Sequence, residues 1–301
     1  MVPVTYRHVR CFLEVARLSS VQHAADTLAI SQPAVSKTLR ELEERVGAEL
    51  FERSGRRLRL TPAGRVFQKH AGLSLTELDR GIRAIRGPVA GGTVSAGVLP
   101  TVATRVLPRA ALAFARLMPE ACLRASTGPN HYLLSQLREG RLDLVVGRLA
   151  APAEMAGLVF EQLYAEEVVA VVRAGHPVLA TPGADLAGWP LILPPPGAII
   201  RPVVEQYFLT HGRELPRPQV ETVSLALGRG LVRGSDAVWF ISRGVVAEEM
   251  ASGSVVALDL GGLPLAGPVG LTLRSGQTVP DALTVLMQAL RDAARAEAAP
   301  A

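Results

Sequence analysis

The first sixty residues alternate helical apolar stripes with capping residues. Thr5 is placed to cap a helix whose apolar positions Val9, Phe12, Leu13 and Ala16 share one face. Ser19 and Gln22 have capping-box spacing and predict a second, short helix burying Ala25 and Leu28. Ser31 caps a third, with Pro33 in the first turn, where a missing N–H is tolerated. That helix buries Val35, Leu39, Leu42 and Val46, and Gly47 stops it. Leu50-Phe51 and Leu58–Leu60 then read as two short strands about a turn at Ser54-Gly55. Thr61-Pro62 opens a long helix reaching to about Arg86, where Gly87-Pro88 ends it. Its apolar positions Ala71, Leu75, Leu78, Ile82 and Ile85 have seam spacing, which fits a coiled coil or a helix packed on its own domain.

Beyond Gly91-Gly92, a candidate joint, the pattern changes. The apolar runs VSAGVL, ACLRAS, LDLVVG, VVAVV, PLIL, AVWFI and VGLTL predict strands. Helical stretches separate them near Thr104–Leu117, His131–Glu139, Arg201–His211, Ser224–Arg233 and Arg243–Ser252, with a last one at Asp281–Arg295. Such alternation predicts an α/β region with largely parallel sheets.

Two helices joined by a tight turn, followed by a hairpin, make a winged helix-turn-helix. Gln32, Ser36 and Lys37, with Arg40 one turn later, sit on the exposed start of its second helix and can reach a major groove. Arg53, Arg56, Arg57 and Arg59 line the wing, where phosphate contact is favoured. Charge supports this placement. Residues 1–88 hold 15 Arg and Lys against 9 Asp and Glu, whereas the rest of the chain holds 17 against 18. The excess that makes the chain basic, +5 overall, therefore lies at the polyanion-binding end.

Composition bounds the remaining classes. With 49% hydrophobic and 20% charged residues, the chain is globular and long enough for two or three domains. The start carries no apolar stretch of secretory type, and no apolar run is long enough to span a membrane. Cys11 and Cys122, the only cysteines, lie in apolar patterns and read as small buried side chains in a reducing compartment, so the chain reads as cytoplasmic. Lys37 and Lys69 are the only lysines and neither follows a glycine, which excludes a Walker A loop. Gly228, Gly230 and Gly234 have the wrong spacing for a dinucleotide fingerprint, and Ser95 misses the nucleophile-elbow spacing. The six histidines are scattered without ligand spacing. No enzyme, metal or cofactor is expected.

The run SQPAVSKTLRELEERVGAELFERSGRRLRLTPAGRVF, Ser31–Phe67, resembles the DNA-binding signature of LysR-type transcriptional regulators. GRLDLVVGRLAAP, VVRAGHPV, SDAVWFISRGVV and GPVGLTLR are similar to the subgroup that regulates the protocatechuate (pca) operon, a pattern that galactose-responsive regulators largely share. The resemblance implies an all-α winged helix-turn-helix DNA-binding domain over residues 1–60 and a dimerising linker helix over 61–90. It implies an α/β periplasmic-binding-protein-like effector domain over 91–301, built from two Rossmann-like subdomains. Subdomain I would be 91–163 with 267–301, and subdomain II 164–266. DNA contact falls on Ser31, Gln32, Pro33, Ser36, Lys37, Arg40, Arg53, Arg56 and Arg57.

The implied partners are double-stranded DNA, RNA polymerase, further copies of the chain as dimer or tetramer, and a small acidic effector. Control of aromatic-acid catabolism by a molecule such as a carboxylated muconate follows; a solute-binding protein or a sugar-responsive regulator with the same fold is the alternative. Strand ends in α/β sheets are where ligands bind. Thr101 and Thr104 follow the first strand of the α/β region, and Thr127 and Asn130 the second. Arg148 follows the third and can pair bidentately with a carboxylate. Ile200, Arg201, Ser242 and Arg243 occupy comparable turns of the other subdomain.

Overall fold

The computed structural model describes residues 3–54, 57–85, 92–181, 183, 185–261 and 265–298. Contacts divide the chain into two units, Met1–Pro88 with Arg138–Arg141, and the remainder.

In the first unit, α1 (Tyr6–Leu18), α2 (Val21–Leu28) and α3 (Gln32–Val46) are followed by β1 (Phe51–Ser54), β2 (Arg57–Leu60) and α4 (Pro62–Ile85). Thr5 caps α1, but the buried face of that helix is His8, Cys11, Phe12 and Val15, a rotation from the stripe through Val9, Leu13 and Ala16. The cause is a buried histidine whose hydrogen bonds are met. Its Nδ1 accepts the Thr5 N–H at 3.0 Å, which leaves Nε2 to face Glu41 at 3.5 Å. Ser20 caps α2, its Oγ accepting from the His23 N–H at 3.3 Å. Ser19, the expected cap, instead closes α1 in a left-handed conformation, φ 50°. Ser31, Pro33 and Gly47 delimit α3 as their chemistry predicts, and Gly47 adopts φ 71°. Phe12 fills the centre, its ring 5.2 Å from Phe51 and 5.0 Å from Phe67, so one aromatic joins α1 to the wing and to α4. The packing leaves no room at Gly64 on α4, where a Cβ would overlap the Leu50 carbonyl oxygen.

In the second unit β3 (Thr93–Val98) leads into the short α5 (Pro100–Ala103) and α6 (Val106–Leu117). Then come β4 (Cys122–Thr127), α7 (Asn130–Arg138), β5 (Leu144–Arg148) and the long β6 (Leu158–Arg173). After β7 (Leu191–Leu193) follow α8 (Arg201–Thr210), β8 (Val220–Glu221), α9 (Leu225–Gly234), β9 (Val238–Ser242), α10 (Ala247–Ala251), β10 (Val255–Ala257), β11 (Ala266–Arg274) and α11 (Asp281–Ala298). The strands hydrogen-bond in the order β4-β3-β5-β11-β6-β9-β7-β8, with β10 also on β6.

Three strands on each side run parallel, as the alternation predicts: β4, β3 and β5, then β9, β7 and β8. Between them β6 and β11 are antiparallel, which a reading of apolar runs does not foresee. Up to Glu167, β6 pairs with β11; from Val168 onward it pairs with β9 and β10. One strand therefore belongs to both halves. The register slips at Val269/Gly270, and a Cβ at Gly270 would overlap the Glu161 carbonyl oxygen. The first half is packed by Phe114 of α6 and Leu286 and Leu290 of α11, the second by Phe208 and Phe240 on one face and Trp239 on the other. Cys122 lies exposed on the edge strand β4, whereas Cys11 is buried as expected. Among the described residues no helix is long and apolar enough to cross a membrane.

Candidate functional sites

The periodicity of α3 separates two faces. Val35, Thr38, Leu39 and Leu42 turn inward, and Gln32, Pro33, Lys37 and Arg40 are exposed on the other side with Ser36 half-buried among them. Gln32 Nε2 donates to Ser36 Oγ at 3.0 Å, so two candidate base-reading groups are already paired with each other. Lys37, whose side chain is 79% exposed, lies 3.9 Å from Glu41 one turn on, a pairing that water screens and that phosphate can displace. Ser31 Oγ accepts from the Ala34 N–H at 3.4 Å, so its structural part is that of a cap. The hairpin sets Arg53 opposite Leu58 and Ser54 opposite Arg57. Arg56 and the side chains of Arg53 and Arg57 lie outside the described residues.

The second unit holds a cavity of about 540 Å³ at the strand ends of both halves. Thr101, in α5, contributes a hydroxyl that is 3.2 Å from Ser242 Oγ at the end of β9. Arg148, the last residue of β5, donates from Nε and Nη2 to the same Ser242 oxygen at 3.4 and 3.3 Å. Its Nη2 also donates to the Glu166 carbonyl at 2.9 Å. Thr101, Arg148 and Ser242 are 7, 6 and 2% exposed, so this polar cluster is almost wholly removed from water. Burial lowers the pKa of Arg148, and the Glu166 charge opposes that shift. Glu166 is pushed up by its own burial, against the Gly244 N–H that its Oε1 accepts at 2.8 Å and against Arg148.

In the same half as Thr101 and Arg148, Thr127 ends β4 and Asn130 opens α7. Asn130 is 6% exposed, and its Nδ2 finds no hydrogen-bond partner among the described residues. A buried amide donor left so is costly, and the cavity it lines is where a partner can enter. Leu99, the Pro194–Gly197 loop, Ile199, Ile200 and Phe240 supply an apolar wall, and the described lining includes no Asp or Glu.

The remaining candidates lie elsewhere. Thr104 is outside the lining, its hydroxyl donating to the Gly244 carbonyl at 3.2 Å. Arg201 is held by Glu205 at 2.8 Å and Glu221 at 2.7 Å, and Arg243 by Glu167 at 2.7 Å. Arg201 and Glu205 have i,i+4 spacing on α8, but Arg201 with Glu221 and Arg243 with Glu167 join distant segments that no local pattern marks. Ser224, Phe240 and His131 also line the cavity, and no motif in the sequence points to them as cavity residues. The one available signal was Ser224 at the N-terminus of a predicted helix, where it caps α9 through the Leu227 N–H at 3.4 Å.

Both units have counterparts among known proteins. Residues 6–65 match the bacterial regulatory helix-turn-helix model of the lysR family, and residues 89–295 match the LysR substrate binding domain. The HTH-type transcriptional regulator PcaQ of Agrobacterium fabrum is 46% identical over 297 residues, covering 97% of this chain and 95% of that one. Full-length OxyR from Pseudomonas aeruginosa superposes with a TM-score of 0.65 at 23% identity, covering 97% of this chain and 96% of that chain. Full-length LysG from Corynebacterium glutamicum, solved with the effector Arg bound, gives 0.64 at 20% identity, covering 97 and 99%. At such identities the two structures show the fold alone; the family models span both units and, with the 46% identical relative, show that the chain belongs to the LysR family of transcriptional regulators.

Proposed function

We propose that this regulator reads operator DNA with α3 and the β1–β2 wing, and that its cavity takes a small aromatic or unsaturated carboxylic acid. The buried Thr101–Arg148–Ser242 cluster carries the second half of this reading. A buried guanidinium bonded to the Ser242 hydroxyl, which also meets Thr101, suits one carboxylate, because charge-assisted hydrogen bonds are strongest where water is excluded. The apolar wall of Leu99, Ile199 and Phe240 suits a flat carbon skeleton beside it. An arginine in the lining and no carboxylate there favour an anion over a cation. With 46% identity to PcaQ across 97% of the chain, control of protocatechuate and β-ketoadipate catabolism is the target we favour.

Ser242 belongs to one half of the effector unit, and Thr101 and Arg148 to the other. An acid that competes for Thr101 and Arg148 changes how the halves close, and effector binding then shifts the population between closures. We further propose that two copies pair through α4, where Leu78 and Ile82 are 48 and 37% exposed four residues apart. Paired recognition helices then meet two half-sites of an imperfect palindrome, in reach of RNA polymerase.

Two measurements test the reading. Purified protein should shift an imperfect palindrome upstream of a divergently transcribed gene, and lose the shift as salt rises. No preference over random DNA would end the operator reading. Calorimetry with carboxymuconate and protocatechuate should show binding that Thr101→Ala weakens while basal DNA binding is kept. Heat of binding from neither acid would remove the effector class.

A further inference from the structure

Among the described residues, Asn130 Nδ2 is the one buried side-chain polar atom of the cavity lining that has no hydrogen-bond partner. The residue is 6% exposed, so bulk water does not serve it freely. An amide nitrogen only donates, and what it lacks is therefore an acceptor. Buried donors are nearly always met, because an unmet one forfeits the hydrogen bond it had in water. Here the acceptor has to come from the cavity side.

The carboxylate expected on Arg148 does not supply it. The strands lie in the order β4-β3-β5-β11-β6-β9. Asn130 opens α7 directly after β4, whereas Arg148 ends β5. The Arg148 guanidinium then extends away from β4: Nη2 donates to the Glu166 carbonyl on β6, and Nε and Nη2 to Ser242 at the end of β9. Three strands, β3, β5 and β11, thus lie between the strand that delivers Asn130 and the strand that the guanidinium meets. Neighbouring strands are about 4.8 Å apart, so the two groups face the cavity from sides that the two oxygens of one carboxylate do not span. A monoacid seated on Arg148 leaves Asn130 as it was.

A second oxygen on the same ligand changes that. A ring hydroxyl and a second carboxylate both accept from an amide N–H. A methyl group in its place fills the space but keeps the donor buried and unpaired, which is the condition under which a site rejects an analogue most strongly.

We infer that Asn130 sets the specificity of this cavity: its Nδ2 donates to a second oxygen of the effector, a hydroxyl or a second carboxylate, and so selects against acids that carry none. The inference rests on the acid-binding reading of the same cavity.

Two pairs of acids matched in size isolate that oxygen. They are 4-hydroxybenzoate against 4-methylbenzoate, and trans,trans-muconate against sorbate, where a methyl replaces one carboxylate. In calorimetry on the full chain, the oxygen-bearing member of at least one pair binds about tenfold more tightly than its methyl partner. The aromatic pair shows this if the second oxygen is a hydroxyl, the diene pair if it is a carboxylate. Charge alone also favours muconate over sorbate, so the decisive readout is what the variants do to the preference. Asn130→Leu, of similar volume, cuts it by about fivefold or more and does not lower Tm, because no protein group loses a partner. Asn130→Ala does the same, which separates the lost amide from any packing fault peculiar to leucine. If both pairs bind the wild type alike, or if both variants keep the preference, the inference is overturned and the acid reading stands. If none of the four acids binds, both fall.

Discussion

The helix-turn-helix unit and the effector unit prepare their polar groups in opposite ways. On α3 the candidate contacts are solvent-exposed, and Lys37 keeps 79% of its side-chain surface in water. In the strand-end cavity of the effector unit Thr101, Arg148 and Ser242 keep under a tenth of theirs and are joined through the Ser242 hydroxyl. An exposed cation contributes through long-range attraction that salt screens, so it suits a large, uniformly charged partner. A buried, bonded cluster is dear to disturb and rewards only a ligand that replaces its hydrogen bonds, which suits a small one that must be told from its analogues.

The contrast can be broken at four depths. The largest effect is expected at Gly64, because Ala there has to displace the Leu50 backbone. Gly64→Ala should destabilise the DNA-binding unit by about 3 kcal/mol or more and abolish operator binding, seen by circular dichroism melting and gel shift. Effector binding, measured by calorimetry, should survive it. Next, Arg148→Ala removes a guanidinium with three hydrogen bonds. It should weaken acid binding by about 2–4 kcal/mol, roughly 30- to 1,000-fold, with basal operator affinity kept. Equal loss of both affinities would mean that Arg148 holds the fold and not the ligand.

Lys37→Ala should weaken operator binding about tenfold. If its partner is a phosphate, the slope of affinity against salt falls by about one; if a base, sequence preference relaxes instead. The smallest effect concerns Glu166, whose pKa burial raises. A carboxyl raised by folding adds stability while it is protonated, and that contribution is lost as pH rises through its folded value. Glu166→Gln should therefore raise Tm slightly at neutral pH, with the gain vanishing in acid. A loss of stability at neutral pH would mean that its bond to the Gly244 N–H outweighs its burial.

Local chemistry was the legible part. Ser31, Pro33 and Gly47 bound α3 because capping acts within a few residues, and the same locality made the first strand and Thr101 readable. Where two neighbours could serve, as at Ser19 and Ser20, sequence offers no tie-break, and the left-handed turn at Ser19 decides it. The buried face of α1 departs from the apolar stripe because His8 is polar by type, and only its partners Thr5 and Glu41 make its burial affordable. In β6 only the apolar end, Val168–Val172, reads as strand; Leu158–Glu167 mixes buried, half-buried and exposed side chains without alternation, and nothing local marks its pairing with β11 about a hundred residues away. Distance in sequence also hid the partner of Arg243, and folding alone brings Phe240 and Ser224 into one cavity lining with Thr101.

The place of β11 in the sheet has a consequence for synthesis. It lies between β5 and β6, and α11 covers the core beside it, yet both come from the end of the chain. While the ribosome is still making Ala266–Ala298, β5 and the first part of β6 have unpaired edges, and the core that α11 closes is open to solvent. The core of the helix-turn-helix, from Cys11 to Leu50, is available far earlier. A nascent regulator thus owns its DNA-reading head before its sensor can close, and during that interval two strand edges need a chaperone or speed to keep them from pairing with another chain.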